Sequence, residues 1–166
     1  MAYRIAGIDV HKKKLAVAVA DVEVEEVYQF ERRWYGSNPE QLRLLSGWLV
    51  EQQVEEVVME STAQYWKPVW GALERYWKPV CQQREGAGRM SGTLHLAQAL
   101  SNRGRRGRKN DFRDAERLVK RLVSQELTLS FVPDAEQRLW RTVSRTKYQL
   151  RRDRVRLQNQ LEALLG

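Results

Sequence analysis

Residues 3–10, Tyr-Arg-Ile-Ala-Gly-Ile-Asp-Val, form a short apolar run with a carboxylate near its end, and this stretch decides the fold. The run at 57–60, Val-Val-Met-Glu, also ends in a carboxylate. Short, nearly continuous apolar runs predict strands that are buried on both faces, as in a sheet covered by helices. The sequence therefore predicts an α/β domain in which Asp9 and Glu60 lie at strand ends.

A second pair of carboxylates, Asp111 and Asp114, opens a segment to Val123 whose apolar residues recur at helical spacing. Residues three apart lie near one another on a helix, and Asp111 projects inside the apolar arc. A carboxylate turned toward a core is costly unless a cation or hydrogen-bond donors pair it. Position alone leaves two interpretations equal. In the first, the pair binds a metal. In the second, either Asn110 or Asp111 caps the helix, and the charge of Asp114 interacts favourably with the positive end of the helix dipole.

Two strand ends and one helix start can bring all four carboxylates into one acidic pocket. Clustered like charges raise one another's pKa, so such a pocket normally holds a divalent cation. We therefore consider Asp9, Glu60, Asp111 and Asp114 to be candidate catalytic and metal-binding residues. His11, which comes just after the first strand, is interpreted as a turn residue rather than a ligand.

The chain otherwise alternates between strand and helix patterns. Strands are predicted at 3–10, 15–22, 25–33, 54–60, 78–82 and around 127–132, with the first two antiparallel. Helices are predicted from Asn38, from near Pro68 with Ser61 and Thr62 as cap candidates, around 94–100, over 111–123, and from Asp134 onward. An aromatic stripe fits the core better than a base-stacking platform; it comprises Trp66, Trp70, Leu73 and Trp77.

The chain is basic, with 29 Lys and Arg against 21 Asp and Glu and a formal net charge of +8. A basic chain that also carries acidic strand ends suggests an anionic polymer as partner. The segment 101–110 is rich in glycine and cations. We expect it to hold nucleic acid phosphates, although a solvated linker has the same composition. The cationic candidates are Arg103, Arg105, Arg106, Arg108 and Lys109.

The composition indicates a protein of the cytoplasm. No stretch approaches the ~18 apolar residues of a membrane-spanning helix, and the N-terminus has no signal-peptide core. The single cysteine, Cys81, cannot form an internal disulfide, which fits a reducing compartment. We therefore expect no membrane partner.

The last segment has an apolar seam at seven-residue spacing, formed by Val143, Leu150, Leu157 and Leu164. Such a seam predicts a coiled coil and self-association through residues 139–164, although docking on the chain's own domain stays open. The sequence thus divides into a domain at 1–133 and a long helix at 134–166. The pattern is unfinished at its end, so we expect a truncated or isolated domain.

Four groups of residues, taken together, resemble the N-terminal domain of the insertion sequence 110 family of transposases. They are Gly7-Ile8-Asp9-Val10-His11-Lys12, Met59-Glu60-Ser61-Thr62 with Tyr65-Trp66, the run Gly-Arg-Lys-Asn-Asp-Phe-Arg-Asp-Ala-Glu at 107–116, and Ser130-Phe131-Val132-Pro133. The ordered set is highly specific and covers essentially the whole chain. One departure is Ala63-Gln64, where the family usually has Gly and a variable residue.

The resemblance implies an RNase H-like fold of the RuvC type, a mixed sheet flanked by helices, with a DEDD tetrad at Asp9, Glu60, Asp111 and Asp114 that binds Mg²⁺ or Mn²⁺. It also implies DNA recombination guided by a structured bridge RNA, in a multimer, in a bacterial or archaeal cell. Family members continue into a second domain with a nucleophilic serine, which this sequence lacks. We therefore expect a transposase catalytic domain that cannot complete recombination alone.

Two other functions fit parts of the sequence. A non-catalytic nucleic-acid-binding and dimerisation module would keep the basic segment and the coil, while the acidic cluster had only a structural role. An actin-like or sugar-kinase ATPase needs glycine-rich phosphate loops after its strands, and residues 20–23, Ala-Asp-Val-Glu, offer none. Metal titration separates the module from the enzyme.

Overall fold

A computed structural model of the chain describes residues 3–23, 28–60, 62–102 and 110–166. The chain divides into two units, Met1–Ser130 and Phe131–Gly166. Ser61 and the cationic candidates of the basic segment lie outside the described residues; the latter are Arg103, Arg105, Arg106, Arg108 and Lys109.

The first unit is built on one mixed sheet. Its strands are β1 Arg4–Val10, β2 Lys14–Asp21, β3 Phe30–Gly36, β4 Val54–Glu60, β5 Thr93–Ala97 and β6 Leu129–Ser130. Their order across the sheet is β3-β2-β1-β4-β5-β6. β1, β2 and β3 form an antiparallel meander, whereas β4 lies parallel to β1 and β5 lies parallel to β4. This arrangement confirms the α/β class and the antiparallel pairing of the first two strands.

The helices of the described ranges are α1 Pro39–Glu51, α2 Trp66–Tyr76, α3 Lys78–Gln83, α4 Asp111–Val123 and α5 Ala135–Leu165. A short 3₁₀ turn, Ala99–Asn102, follows β5. The side chains of Asn38, Asn110 and Asp134 each accept a hydrogen bond from a backbone N–H in the first turn of the helix that follows. These caps explain why the starts of α1, α4 and α5 could be predicted from the sequence.

Two predicted elements are wrong. Residues 78–82 belong to helix α3 instead of a strand, because Pro79 stands in the first turn, where its fixed φ favours a helix and its missing N–H costs little. Residues 94–100 form no α-helix, because β5 pairs with the distant strand β4 and this ladder overrides local preference. In addition, the third strand lies later than 25–33, and the strand predicted at 127–132 shrinks to two residues.

Helices cover both faces of the sheet. In β3 the ring of Trp34 contacts Phe112 of α4, whereas the next ring, that of Tyr35, contacts Trp48 of α1. Because side chains alternate along a strand, α4 and α1 pack on opposite faces. The core under α4 contains Ile5, Val58, Ala97, Leu118 and Val119. In the aromatic stripe Trp70, Leu73 and Trp77 are buried, which confirms its role in the core.

Helix α4 lies very close to β1 at Gly7. A Cβ atom added at Gly7 would overlap the carbonyl oxygen of Ala115, so no side chain fits there. Gly7 and Asp9 are two residues apart on a strand and point to the same face, beneath α4. The close contact therefore holds the start of α4 near the carboxylate of Asp9.

The second unit consists mainly of α5, which is 31 residues long. Its apolar seam and the two leucines beside it are exposed, and each residue has between 48% and 82% of its surface accessible to solvent. These residues are Leu139, Val143, Leu150, Leu157, Leu161 and Leu164. Self-association through this seam stays a prediction. Within the described ranges, no helix has both the length and the apolar character needed to cross a bilayer.

Candidate functional site

The predicted acidic residues approach one another at one edge of the sheet. β1 and β4 run parallel with Ile8 opposite Met59, so Asp9 and Glu60 are the next residues at two adjacent strand ends. Asp9 is only 7% exposed, and Glu60 is partly buried. The sheet alone therefore supplies two of the four carboxylates.

The first turn of α4 supplies the other two. Asn110 caps this helix, because its Oδ1 accepts hydrogen bonds from the backbone N–H groups two and three residues later, at 3.1 and 3.3 Å. The carboxylate of Asp111 instead lies 3.3 Å from Nε2 of His11 and 3.1 Å from Nζ of Lys14. Of the two interpretations that the sequence left open, the cap role belongs to Asn110, and Asp111 faces the cluster.

His11 also belongs to this cluster. Its Nε2 lies 3.0 Å from Oδ2 of Asp9, and the ligand atoms of Asp9, His11 and Asp111 all lie within 4.8 Å of one another. The backbone of His11 does close the turn, since its N–H donates to the carbonyl of Lys14 at 3.0 Å. The interpretation as a turn residue is therefore incomplete. A spacing of two from Asp9 puts both side chains on one face, and this was the available signal.

Electrostatics connect all four carboxylates. The pKa of Asp9 is raised to about 6, first by burial and then by the charges of Asp114, Asp111 and Glu60, while the neighbouring His11 acts in the opposite direction. The pKa of one buried group thus responds to each of the other three acids. Such mutual repulsion is relieved by a bound proton or a bound cation.

Glu60 is oriented by two donors. The hydroxyl of Thr62 donates to its Oε1 at 2.9 Å, and Nδ2 of Asn102 donates to its Oε2 at 2.9 Å. Thr62 therefore hydrogen-bonds to Glu60 and does not cap α2, because the start of α2 has no side-chain cap hydrogen bond. Asn102 is 3% exposed, and no motif in the sequence pointed to it.

Asp114 is held by a cation of its own helix. Nη1 of Arg117 lies 2.7 Å from Oδ1 of Asp114 and also donates to the backbone carbonyl of Asn102 at 3.2 Å. Asn102 in turn bonds Glu60, so one short chain of hydrogen bonds links the carboxylates from β4 and α4. This chain fixes the spacing of the two acids.

The backbone just after Glu60 is strained. Ala63 has a φ of 50°, in the left-handed region that glycine occupies readily and that alanine avoids. This is the position at which the sequence departs from the glycine that the resemblance implies. The local backbone nevertheless adopts the conformation that a glycine would favour.

The donor set fits a hard divalent cation. Mg²⁺ and Mn²⁺ prefer carboxylate oxygens, and the ligand atoms of Asp9, His11 and Asp111 lie within 4.8 Å of one another, whereas Glu60 and Asp114 lie outside this group. Part of the negative charge is offset here by Lys14 and Arg117. The arrangement suits a reaction on an anion in which a cation stabilises developing negative charge, as in phosphodiester cleavage.

Comparisons with known proteins agree with this geometry. A family model described as Transposase, for the DEDD transposases of insertion sequence 110, matches residues 6–166. No curated protein matches the chain. The solved structure of Thermus thermophilus RuvC is similar at 11% identity with a TM-score of 0.53, covering 76% of this chain and 99% of that chain. This similarity confirms the RNase H-like fold of the RuvC type.

A second solved structure of RuvC is a complex with a Holliday junction substrate, also from T. thermophilus. It is 11% identical, with a TM-score of 0.47, and the match covers 77% of this chain and 99% of that chain.

Proposed function

Because the chain belongs to the DEDD transposase family of insertion sequence 110, we propose that its acidic cluster acts on DNA phosphodiesters with a divalent metal, under the guidance of a structured RNA. In this proposal residues 1–133 are the catalytic domain and 134–166 begin a coiled coil. The observation that carries the proposal is the clustering of Asp9, His11 and Asp111, whose ligand atoms all lie within 4.8 Å of one another.

Each acidic residue has a role that follows from its position. Asp9, the most buried, would hold the metal centrally, and Glu60, Asp111 and Asp114 would complete its ligands. When bound, Mg²⁺ or Mn²⁺ supplies stabilisation of the charge on the attacking and leaving oxygens of a phosphodiester. With a pKa near 6, Asp9 is mostly ionised at neutral pH and can serve as a ligand without first losing a proton.

The direct test compares wild type with Asp111→Asn on supercoiled DNA. The wild type should nick DNA only with Mg²⁺ or Mn²⁺, and the variant should bind DNA equally but not nick it. Gln137→Asn, a change on α5, serves as the unrelated control. Equal nicking by wild type and the Asp111 variant would reject the site.

Basic side chains would hold the nucleic acid. The proposal assigns this role to the segment 101–110, through Arg103, Arg105, Arg106, Arg108 and Lys109. Replacing Arg105, Arg106 and Arg108 with Ala should lower affinity and flatten the salt dependence, since each phosphate contact contributes about one unit to the log–log slope. Unchanged affinity would make the segment a linker.

A matched control for that triple variant exists elsewhere on the chain. Arg43 and Arg75 both lie over the ring of Tyr76, away from the acidic site. Their replacement by Ala, together with that of Lys67, removes the same total charge. Only the variant in the basic segment should change the salt slope markedly, because a general loss of charge would affect both variants alike.

Self-association is proposed through residues 139–164 of α5. The seam is exposed along its length, and burying it against a second copy would remove apolar surface from water. The double variant Leu150→Lys, Leu157→Lys should sediment as a folded monomer. The control double variant Gln149→Lys, Gln158→Lys should still self-associate. A monomeric wild type at high concentration would contradict this proposal.

One observation favours a second candidate function. Lys14 and Arg117 already pair with the carboxylates of Asp111 and Asp114, so the cluster can be balanced by protein cations. A non-catalytic nucleic-acid-binding and dimerisation module would use the cluster in this way. Calorimetric titration with Mn²⁺ decides between them, because the module predicts no saturable metal binding that depends on Asp9.

A further inference from the structure

An exposed tryptophan lies beside the acidic cluster. Trp34 stands in β3 opposite Ala16 of β2, and Ala16 stands opposite Asp9 of β1. The three residues therefore form one row across the sheet, with Trp34 and Asp9 on the same face and roughly 10 Å apart. Trp34 is 46% exposed, although one side of its ring contacts Phe112 with the centroids 4.6 Å apart.

Lys14 connects this ring to the acids. Its Nζ lies 4.3 Å from the centroid of the Trp34 ring and 3.1 Å from Oδ2 of Asp111. Its side chain is 57% exposed, so the ammonium group can still reach a ligand. The ammonium group thus lies over the aromatic ring, at the margin of the cluster.

The surroundings of Lys14 are cationic and held in place. Lys12 and Lys13 precede it in the turn between β1 and β2, and both are exposed. Ser37, just after β3, donates from its hydroxyl to the carbonyl of Lys12 at 2.8 Å and from its N–H to that of Lys13 at 3.2 Å. The lysine turn, residues 12–14, is therefore tied to the end of the strand that carries Trp34.

This combination has the chemistry of a nucleotide site. A partly exposed aromatic ring can stack on a nucleobase, and the ammonium group that lies over this ring can move aside to bind the phosphate. The bases of duplex DNA are stacked inside the helix, so only an unpaired base can lie against Trp34. Lys14 lies between the ring and the acids, which places the phosphate of such a nucleotide on the side of the cluster.

We propose that Trp34 and Lys14 bind one unpaired nucleotide of the DNA strand whose phosphodiester lies at the acidic cluster. Trp34 stacks on the base, and the lysine turn holds the neighbouring phosphate. The proposal rests on the proposed function, and it adds that the strand is locally unpaired where it is cut.

Binding of a short fluorescein-labelled single-stranded DNA, followed by anisotropy, tests the stack. Trp34→Ala should weaken binding by roughly 5- to 100-fold, the range expected for loss of one base stack, whereas Trp34→Phe should retain most of the affinity. Leu44→Ala, an exposed apolar residue of α1, is the control and should have no effect. Equal affinity of Trp34→Ala and wild type would overturn the proposal.

A second measurement separates stacking from damage to the fold. Oligonucleotides with a single abasic site, moved along the strand, should bind wild type more weakly at one position. Trp34→Phe should show the same weak position, and Trp34→Ala should show none. If Trp34→Ala fails to fold, the abasic series on wild type is sufficient as a test. Wild-type binding that is equally strong at every abasic position would overturn the proposal that Trp34 stacks on a base. Tighter binding of an RNA of the same sequence would overturn the assignment to a DNA strand.

Glu60→Gln distinguishes this inference from the proposed function. It removes a carboxylate that does not touch Trp34 or Lys14, so it should abolish metal-dependent nicking and keep the abasic profile. A wild type that shows the profile but never nicks would reject the proposed function alone. A wild type that nicks, with a Trp34→Ala variant of unchanged affinity, would reject the nucleotide site alone.

Discussion

Replacement of Asp9 by Asn should stabilise the metal-free protein. Asp9 is 7% exposed, and burial together with three nearby carboxylates penalises its charge. Asn has nearly the same shape and carries no charge. The substitution therefore removes the electrostatic penalty while changing the packing around the side chain very little.

The size of the effect follows from the pKa. The pKa of Asp9 rises from 3.8 to about 6 on folding, a difference of about 2 units. Each unit corresponds to about 1.4 kcal/mol, so ionisation of Asp9 in the folded protein costs up to about 3 kcal/mol. Partial access of solvent reduces this to about 2 kcal/mol, which corresponds to about 4–8 °C in melting temperature for a chain of this length.

The effect depends on pH in a defined direction. Because the folded pKa of Asp9 lies above the unfolded value, folded wild type binds more protons than unfolded wild type between about pH 4 and pH 6. Its stability relative to the variant therefore falls as the pH rises through this range. The difference in free energy of unfolding should be near zero below about pH 4 and constant above about pH 7.

Melting followed by circular dichroism near pH 8, with and without millimolar Mg²⁺ or Mn²⁺, is the assay. Metal should stabilise wild type, because it binds the folded state and offsets carboxylate repulsion, whereas Asp9→Asn should gain nothing. The gap between the two proteins should therefore narrow or reverse when metal is added. Glu51→Gln, an exposed change at the end of α1, should leave both measurements unchanged.

Two results would refute this reasoning. A variant that melts below wild type without metal would mean that the contact of Asp9 with His11 outweighs burial and repulsion. A metal shift of equal size in both proteins would place the bound ion somewhere other than at Asp9.

Gly7→Ala should lower the melting temperature by several degrees and remove the stabilisation by metal, because α4 must move away from β1. The control Gly47→Ala, in α1 with open space around the added Cβ, should raise the melting temperature slightly. Asn102→Ala should weaken Mn²⁺ binding in calorimetry by roughly 10- to 100-fold, because Glu60 loses an orienting donor, and unchanged affinity would contradict that role. Burial raises the pKa of the Cys81 thiol to about 11, so a thiol reagent near pH 8 should label Cys81 only after unfolding. Rapid labelling of the native protein would contradict this prediction.

The elements that could be predicted are those with strong local signals. The bounds of β4 and α4 agree with the sequence prediction, because β4 contains the apolar run Val57-Val58-Met59 and Asn110 caps a helix of marked periodicity. The approach of Asp9 to Asp111 was also predictable, since one lies at a strand end and the other opens a helix. Local patterns thus led to most of the acidic site.

The features that were missed depend on contacts between distant segments. β5 exists because it pairs with β4, more than thirty residues earlier, and its own sequence does not favour a strand strongly. Asn102 reaches Glu60 across 42 positions of the chain, and neither residue type nor spacing indicates that bond. Trp34 and Phe112 are likewise brought together only by the packing of α4 on the sheet.

The segment Gly7 to His11 shows how one strand determines both the fold and the site. Gly7 and Asp9 point to the same face of β1, beneath α4, and His11 follows the end of the strand. The missing side chain at Gly7 lets the carbonyl of Ala115 lie against the strand, and this contact sets the height of the helix above the sheet. A larger residue at Gly7 would lift α4 and carry Asp111 away from Asp9. The spacing of glycine and aspartate in this strand therefore controls the distance between two carboxylates that lie 102 positions apart in sequence, Asp9 and Asp111.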